Sequence, residues 1–264
     1  MPIKDTSVTE THIDVDGFSV RVKIEGEGPS VVILHGAGGI SDAPGIKLLA
    51  DGYRTFAIET PGFGESAFNG SSDSFRSLAA TVSAVIDQLE IGDHSVVGTG
   101  VGARLALWHA IDAGEHVESI VLVSPAAILL DGVRAPTIPP SLLLRSVSTG
   151  QSSPIGLTSP TTAAQEEQII KRIFGAGRDS ELEKEMSTLD IPTLVLFGDE
   201  DYLIPPATGR LYREIMPKSF YILVHKAGPL IAHERPEAFA SVVTDFLEWR
   251  DQFVYGHKTK VLNP

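Results

Sequence analysis

The stretch HSVVGTGVGARLALWHA, residues 94–110, changes character at its centre. Val96 and Val97 form a short apolar run of the kind that makes a strand buried on both faces. Gly98-Thr99-Gly100-Val101-Gly102 then permits a tight turn, and the segment beyond it, with Trp108 and His109, is read as a helix. A glycine-rich turn from strand to helix lies beyond the carboxyl end of a strand, where open α/β sheets bind their ligands.

The same punctuation recurs on either side. Val31–Leu34, Thr55–Ile58, Ile120–Val123, Leu194–Phe197 and Tyr221–Val224 are further short apolar runs. Between them, Phe75, Leu78, Ala79, Val82, Val85, Ile86 and Leu89 recur at three- and four-residue steps, as do Phe239, Val242, Val243, Phe246 and Leu247. Strand alternating with helix predicts a mostly parallel sheet covered on both faces. Residues 9–25 alternate around Asp16-Gly17 and predict an edge hairpin.

Strand signals stop once, from about Ala127 to Leu189. A Pro/Ser/Thr-rich stretch leads into an amphipathic helix near Ala163–Phe174, a break at Gly175 and Gly177, and a second, charged helix. The expected organisation is a core domain of residues 1–126 and 190–264 with a helical lid, 127–189, inserted in it, whose exposed-looking Leu142–Leu144 need something to cover. A surface excursion without a gating role is the plainer alternative. Residues from about 256 to 264 read as a tail.

The 264 residues carry a formal charge of -13, which repels phosphate backbones and anionic membrane surfaces, so neither nucleic acid nor membrane is an expected partner. There is no cysteine, and no run approaches the roughly 18 uncharged apolar residues of a membrane span. A cytoplasmic protein is expected, and a homo-oligomer stays open. No histidine pair has metal-ligand spacing with a carboxylate, and Gly36, Gly38 and Gly39 lack the lysine of a phosphate loop. Neither metal nor cofactor is expected.

Five motifs follow strands in order: His35-Gly36-Ala37-Gly38-Gly39, Pro61-Gly62-Phe63-Gly64-Glu65-Ser66, Gly98–Gly102, Gly198-Asp199-Glu200-Asp201 with Pro205, and Ala227-Gly228-Pro229 with Glu234–Phe239. Over residues 30 to 250 this pattern resembles the α/β-hydrolase fold superfamily, particularly small-molecule esterases, meta-cleavage-product hydrolases and cofactor-free haloperoxidases with one lid. The resemblance implies an α/β fold with an eight-stranded-type, mostly parallel sheet. It also implies a nucleophile elbow, G-x-S-x-G, whose central position falls on Gly100. The triad acid then falls on Asp201 and the triad histidine on Pro229. The backbone N–H groups of Ala37 and Val101 match oxyanion donors, and Gly36, Gly38, Ser66 and Ser124 stand where the family lines or supports its pocket.

Serine-type acyl transfer needs a hydroxyl nucleophile, a base in hydrogen-bond reach and a carboxylate that orients the base. Glycine and proline stand at the first two positions. Glycine at an elbow relieves backbone strain and also clears room for a substrate, and an engineered knockout of the serine would leave Pro229 unexplained. Thr99 should point sideways into neighbouring loops, and loop-internal hydrogen bonds are expected for Ser66 and Ser124.

Asp201 is then either an idle, solvated carboxylate or a base acting directly or through a water. Among the eight histidines, His35 is expected to pack and hydrogen-bond within the oxyanion loop, with proton transfer as the alternative. His233, four residues past Pro229, is expected on a helix exterior, with reach to the pocket edge as the alternative, His225 at a strand end and His109 in the core. His12, His94, His116 and His257 read as surface. The leading functional expectation is non-hydrolytic chemistry, of lyase, cyclase, isomerase or decarboxylase type, on a small carbonyl compound. It would use the oxyanion amides with Asp201 or His35, over a pocket of Gly36, Ala37, Gly38, Gly100, Val101, Ser124 and Pro229. The alternatives are a non-catalytic binder of a small molecule or protein, and a weak hydrolase using activated water.

Overall fold

Val31 and Ile33 face one side of the sheet while Val32 and Leu34 face the other, and all four are buried. A strand apolar at every position has both faces covered, and here helices cover both. The computed structural model describes residues 8–36, 39–64, 66, 68–133, 160–173 and 179–253. Ala37, Gly38, Leu142–Leu144, Gly175, Gly177, His257 and the 256–264 segment lie outside the described residues.

The strands are β1 (Thr9–Val15), β2 (Phe18–Glu25), β3 (Ser30–Leu34), β4 (Arg54–Ile58), β5 (His94–Thr99), β6 (Val117–Val123), β7 (Thr193–Gly198) and β8 (Ser219–Val224). They form one sheet in the order β1-β2-β4-β3-β5-β6-β7-β8. The pairs β1–β2 and β2–β4 are antiparallel and the others parallel. The expected edge hairpin is present, turning at Asp16 and Gly17, both with positive φ (51° and 80°), as a two-residue hairpin turn requires.

The helices are α1 (Pro44–Leu49), α2 (Phe75–Gln88), α3 (Val101–Ala113), α4 (Pro160–Ile173), α5 (Ser180–Met186), α6 (Thr208–Ile215), α7 (Ile231–Glu234) and α8 (Pro236–Trp249). Helix α2 starts at a capping box between Ser74 and Ser77, and its apolar stripe from Phe75 to Ile86 is buried. With α3 to α6 it covers one face of the sheet, while α1, α7 and α8 cover the other.

From β3 the chain steps outward to β4, then returns to place β5 on the other side of β3. This reversal makes a topological switch point between β3 and β5, and a crevice opens beyond their carboxyl ends. His35 and Gly36 leave one of these strands and Gly100 follows the other.

Candidate functional site

Gly100 has φ 54° and ψ −113°, a backbone conformation costly for any residue with a Cβ. The turn is held rigidly: Gly100 N–H donates to Val123 O (3.0 Å), and its own carbonyl accepts from Ala126 N–H (3.0 Å) and Ala103 N–H (3.3 Å). Its neighbours are glycine for a different reason. A Cβ on Gly98 would stand 2.6 Å from Gly102 O, and one on Gly102 would stand 2.3 Å from Leu34 O, so helix α3 seats directly on β3 and β5. Among the described residues a Cβ at Gly100 would meet only Gly36 Cα, at 3.8 Å. The elbow position therefore faces open space.

That space is a cavity of about 140 Å³. Gly36, Gly100, Val101, Ser124 and Pro229, all singled out from the sequence, line it. Val101 opens α3, so its N–H has no intrahelical acceptor. The cavity also descends on the α1 side of the sheet, between Ile33 and Ala57 on the strands and Ile46, Ile231 and Ala232 on the helices. Among the described residues no lysine, arginine, aspartate or glutamate lines it.

His35 lines the cavity with both ring nitrogens engaged. Nδ1 lies 2.6 Å from Gly36 O, and Nε2 accepts from Thr60 N–H at 2.9 Å. This fixes the Nδ1–H tautomer, and burial pushes the imidazole down to about 4. The ring is a neutral brace between the β3 and β4 loops.

Asp201 is 7% exposed, not solvated. Its Oδ1 accepts from Leu203 N–H and Ile204 N–H, both at 2.9 Å, while Oδ2 makes no hydrogen bond of good geometry to the described residues. Burial raises its pKa; the Ile204 and Leu203 amides and the nearby Ser124 hydroxyl oppose this without reversing it. Ser124 overturns the expectation of a loop-internal bond. Its Oγ is buried and has no partner with good geometry, and its backbone has φ 42°. The strain is enforced by the sheet, because Ser124 N–H donates to Leu196 O at 2.8 Å. Ser66 does bond within its loop, accepting from Gly62 and Phe63 N–H and donating to Thr60 O.

The loop carrying Pro229 is clamped by Glu234, whose carboxylate accepts from Gly228 N–H and Leu230 N–H. The chain turns helical right after Leu230, and this single turn carries His233 to the cavity wall. The expected exterior placement of His233 is therefore corrected: its Nε2 is buried and unpartnered. His225 stays outside, bound to Asp199 at 2.7 Å. His94 is also corrected, being 1% exposed and bonded to His109 rather than on the surface.

Helix α4 packs over the site's rim. Ile169 and Glu166 are buried, Glu166 accepts from Gly64 N–H, and Arg172 donates to the carbonyls of Asn69 (2.6 Å) and Ser72 (3.1 Å). Among the described residues no group of three His, Asp or Glu side chains is arranged to hold a metal, and no helix is long and apolar enough to cross a membrane.

A family model described as alpha/beta hydrolase fold matches residues 29–145. The crystal structure of a membrane phospholipase A superposes with a TM-score of 0.80 over 92% of this chain and 86% of the other, at 20% identity. This molecule has the α/β-hydrolase fold. A serine hydrolase involved in carbazole degradation superposes at 0.73, covering 92% and 100%, at 22% identity. In sequence this α/β-hydrolase-fold protein is related to esterases and meta-cleavage-product hydrolases. It is 25% identical to a poly(3-hydroxyalkanoate) depolymerase of Ectopseudomonas oleovorans, covering 93% of this chain and 94% of that one. It is 24% identical to a 2-hydroxy-6-oxo-6-(2'-aminophenyl)hexa-2,4-dienoic acid hydrolase of Metapseudomonas resinovorans, covering 93% of each.

Proposed function

We propose that this α/β-hydrolase-fold protein binds a small, largely apolar molecule in the cavity over Gly100 and has no acyl-enzyme route. The observation that carries this is the open space in front of an elbow with no side chain. The nearest hydroxyls and imidazoles do not form a working couple. His35 has no free nitrogen, and Ser124 Oγ has no imidazole within hydrogen-bond reach. In place of a nucleophile the site presents a helix-opening amide, which favours an oxygen acceptor, with the Ser124 hydroxyl beside Asp201. In this proposal α4 and α5 are the lid.

A second reading is slow hydrolysis by a bound water. The related proteins are hydrolases and esterases, which favours this reading over lyase-type or isomerase-type chemistry. Within it, Asp201 Oδ2 or His233 Nε2 takes the proton of the water.

A fluorophosphonate probe followed by intact-mass measurement separates these readings from serine catalysis. No adduct is expected, and 4-nitrophenyl butyrate should turn over close to the buffer rate. One phosphonyl group per chain would overturn the proposal, and saturable turnover without an adduct would favour the water mechanism.

A further inference from the structure

Among the described residues two buried polar atoms on the cavity wall lack a hydrogen bond of good geometry: Ser124 Oγ, close to Asp201 and the elbow, and His233 Nε2 on the α1 side. A buried polar atom left unpaired costs about 1–3 kcal/mol, so each is a standing preference for a ligand atom that completes it. The surroundings of His233 are aliphatic, with Ile33, Ile46, Ala57, Ile231 and Ala232 lining that part of the cavity. Its ring makes no hydrogen bond to the described residues, so nothing forces the proton onto Nδ1. Burial holds its pKa below the ordinary histidine value, and Asp42 opposes this only in part. A neutral imidazole then offers Nε2–H, its intrinsically favoured tautomer, as a single donor in an apolar chamber.

The rest of the cavity narrows the ligand's chemistry. Among the described residues no cationic side chain lines it to neutralise a carboxylate or phosphate. The nearby Asp201 and the net charge of -13 add repulsion. An anion brought here would be desolvated without compensation.

We infer that the cavity selects a neutral carbonyl compound, a ketone or ester with an aliphatic or aromatic body, and that His233 donates the hydrogen bond that recognises its oxygen. This rests on the small-molecule reading of the site above. It adds the ligand class and a recognition residue from α7.

Three probes of similar size test it: acetophenone, ethylbenzene, which lacks the oxygen, and benzoate, which is charged. Binding is measured by calorimetry and by the ¹⁵N shift of the His233 ring, in the wild type and in His233→Ala and His233→Gln. Acetophenone should bind the wild type, benzoate at least tenfold more weakly. His233→Ala should weaken acetophenone about fivefold or more and leave ethylbenzene unchanged, as loss of one neutral hydrogen bond implies. His233→Gln, which keeps an N–H donor, should recover part of the loss. If both neutral probes bind but His233→Ala affects them equally, or affects neither, this inference fails and the small-molecule reading stands. If benzoate binds as well as acetophenone, the ligand class is wrong. If the wild type binds none of the three, both the inference and the reading beneath it fall.

Discussion

His94 Nε2 lies 2.9 Å from His109 Nε2, joining the first residue of β5 to the helix that follows the elbow. His94 Nδ1 is 2.8 Å from Gly92 O and must donate to it, so His94 Nε2 accepts from His109 Nε2–H. His109 Nδ1 then accepts from Ser83 Oγ at 2.7 Å, which ties α2 into the same chain. A proton on His94 Nε2 would put two donors face to face in a buried site, and a proton on His109 would place an uncompensated charge beside it.

Acid should therefore weaken the fold well above the carboxylate range. Burial lowers His109 to about 4, reinforced by His94, and burial alone lowers His35 to about 4. Both values lie below the unfolded value near 6.5, so between these limits the unfolded chain binds more protons. Stability is complete above pH ~6.5 and falls toward pH 4 by up to about 1.4 kcal/mol per pH unit for each histidine. Asp201, raised by burial, works in the opposite direction, because folding favours its protonated form. Urea midpoints at pH 7.5, 6.0 and 5.0 should decrease in that order. Equal midpoints would refute the neutral-pair assignment.

Gly100→Ala and Gly102→Ala should differ in kind. At Gly100 the added Cβ has room and only backbone strain is felt, about 1–3 kcal/mol. At Gly102 the Cβ collides with the carbonyls of Leu34 and His35, 2.3 and 2.4 Å away, which no side-chain movement relieves. The Gly102 variant should unfold at a markedly lower denaturant concentration or fail to accumulate. Equal losses at the two positions would contradict the elbow geometry.

Gly100→Ser alone should stay inactive on 4-nitrophenyl butyrate, since both ring nitrogens of His35 are engaged and His233 lies on the α1 side of the cavity. Adding Pro229→His restores the missing base at the position the family pattern gives it, and this double variant is the minimum for burst kinetics. A burst from the serine variant alone would reveal a base elsewhere, with His233 the first residue to remove.

Arg104→Met should loosen the segment around α5 before the rest of the molecule. The Arg104 guanidinium lies 4.4 Å over the Phe75 ring and pairs with Asp179, the N-cap of α5. Burial pushes the Asp179 carboxyl up, but the Leu182 amide and Arg104 together outweigh it and hold the pKa below the ordinary value. Breaking such a pair costs about 3–5 kcal/mol when the remaining charge is fully buried, and less here because Asp179 is partly exposed. Hydrogen exchange should quicken in residues 180–189 first. Uniform quickening across the sheet would assign Arg104 to global stability instead.

The strand runs, the edge hairpin at Asp16-Gly17 and the stripes of α2 and α8 were all legible in the sequence, because each is a local pattern: an unbroken apolar run, an alternation of period 2 or a stripe of period 3.6. The elbow was legible too, since Gly98 and Gly102 are demanded by close backbone approach and Gly100 by its φ. For His233 the sequence left the pocket edge second to a helix exterior, because a single helical turn has no periodicity to read. His94 looked like a surface residue because its partners, Ser83 through His109, come from two other helices.

The order of apolar runs and glycine turns along the chain determined by itself that a parallel, helix-covered sheet would form, because backbone sterics and alternating burial act between near neighbours. Only the tertiary structure decided which polar atoms face the cavity and which are consumed by bracing. That depends on how the loop after β8 and the turn of α7 fold back over β3, β5 and α1. Whether Ser124, Asp201 and His233 find partners is a matter of packing between distant segments, and no spacing within the sequence encodes it.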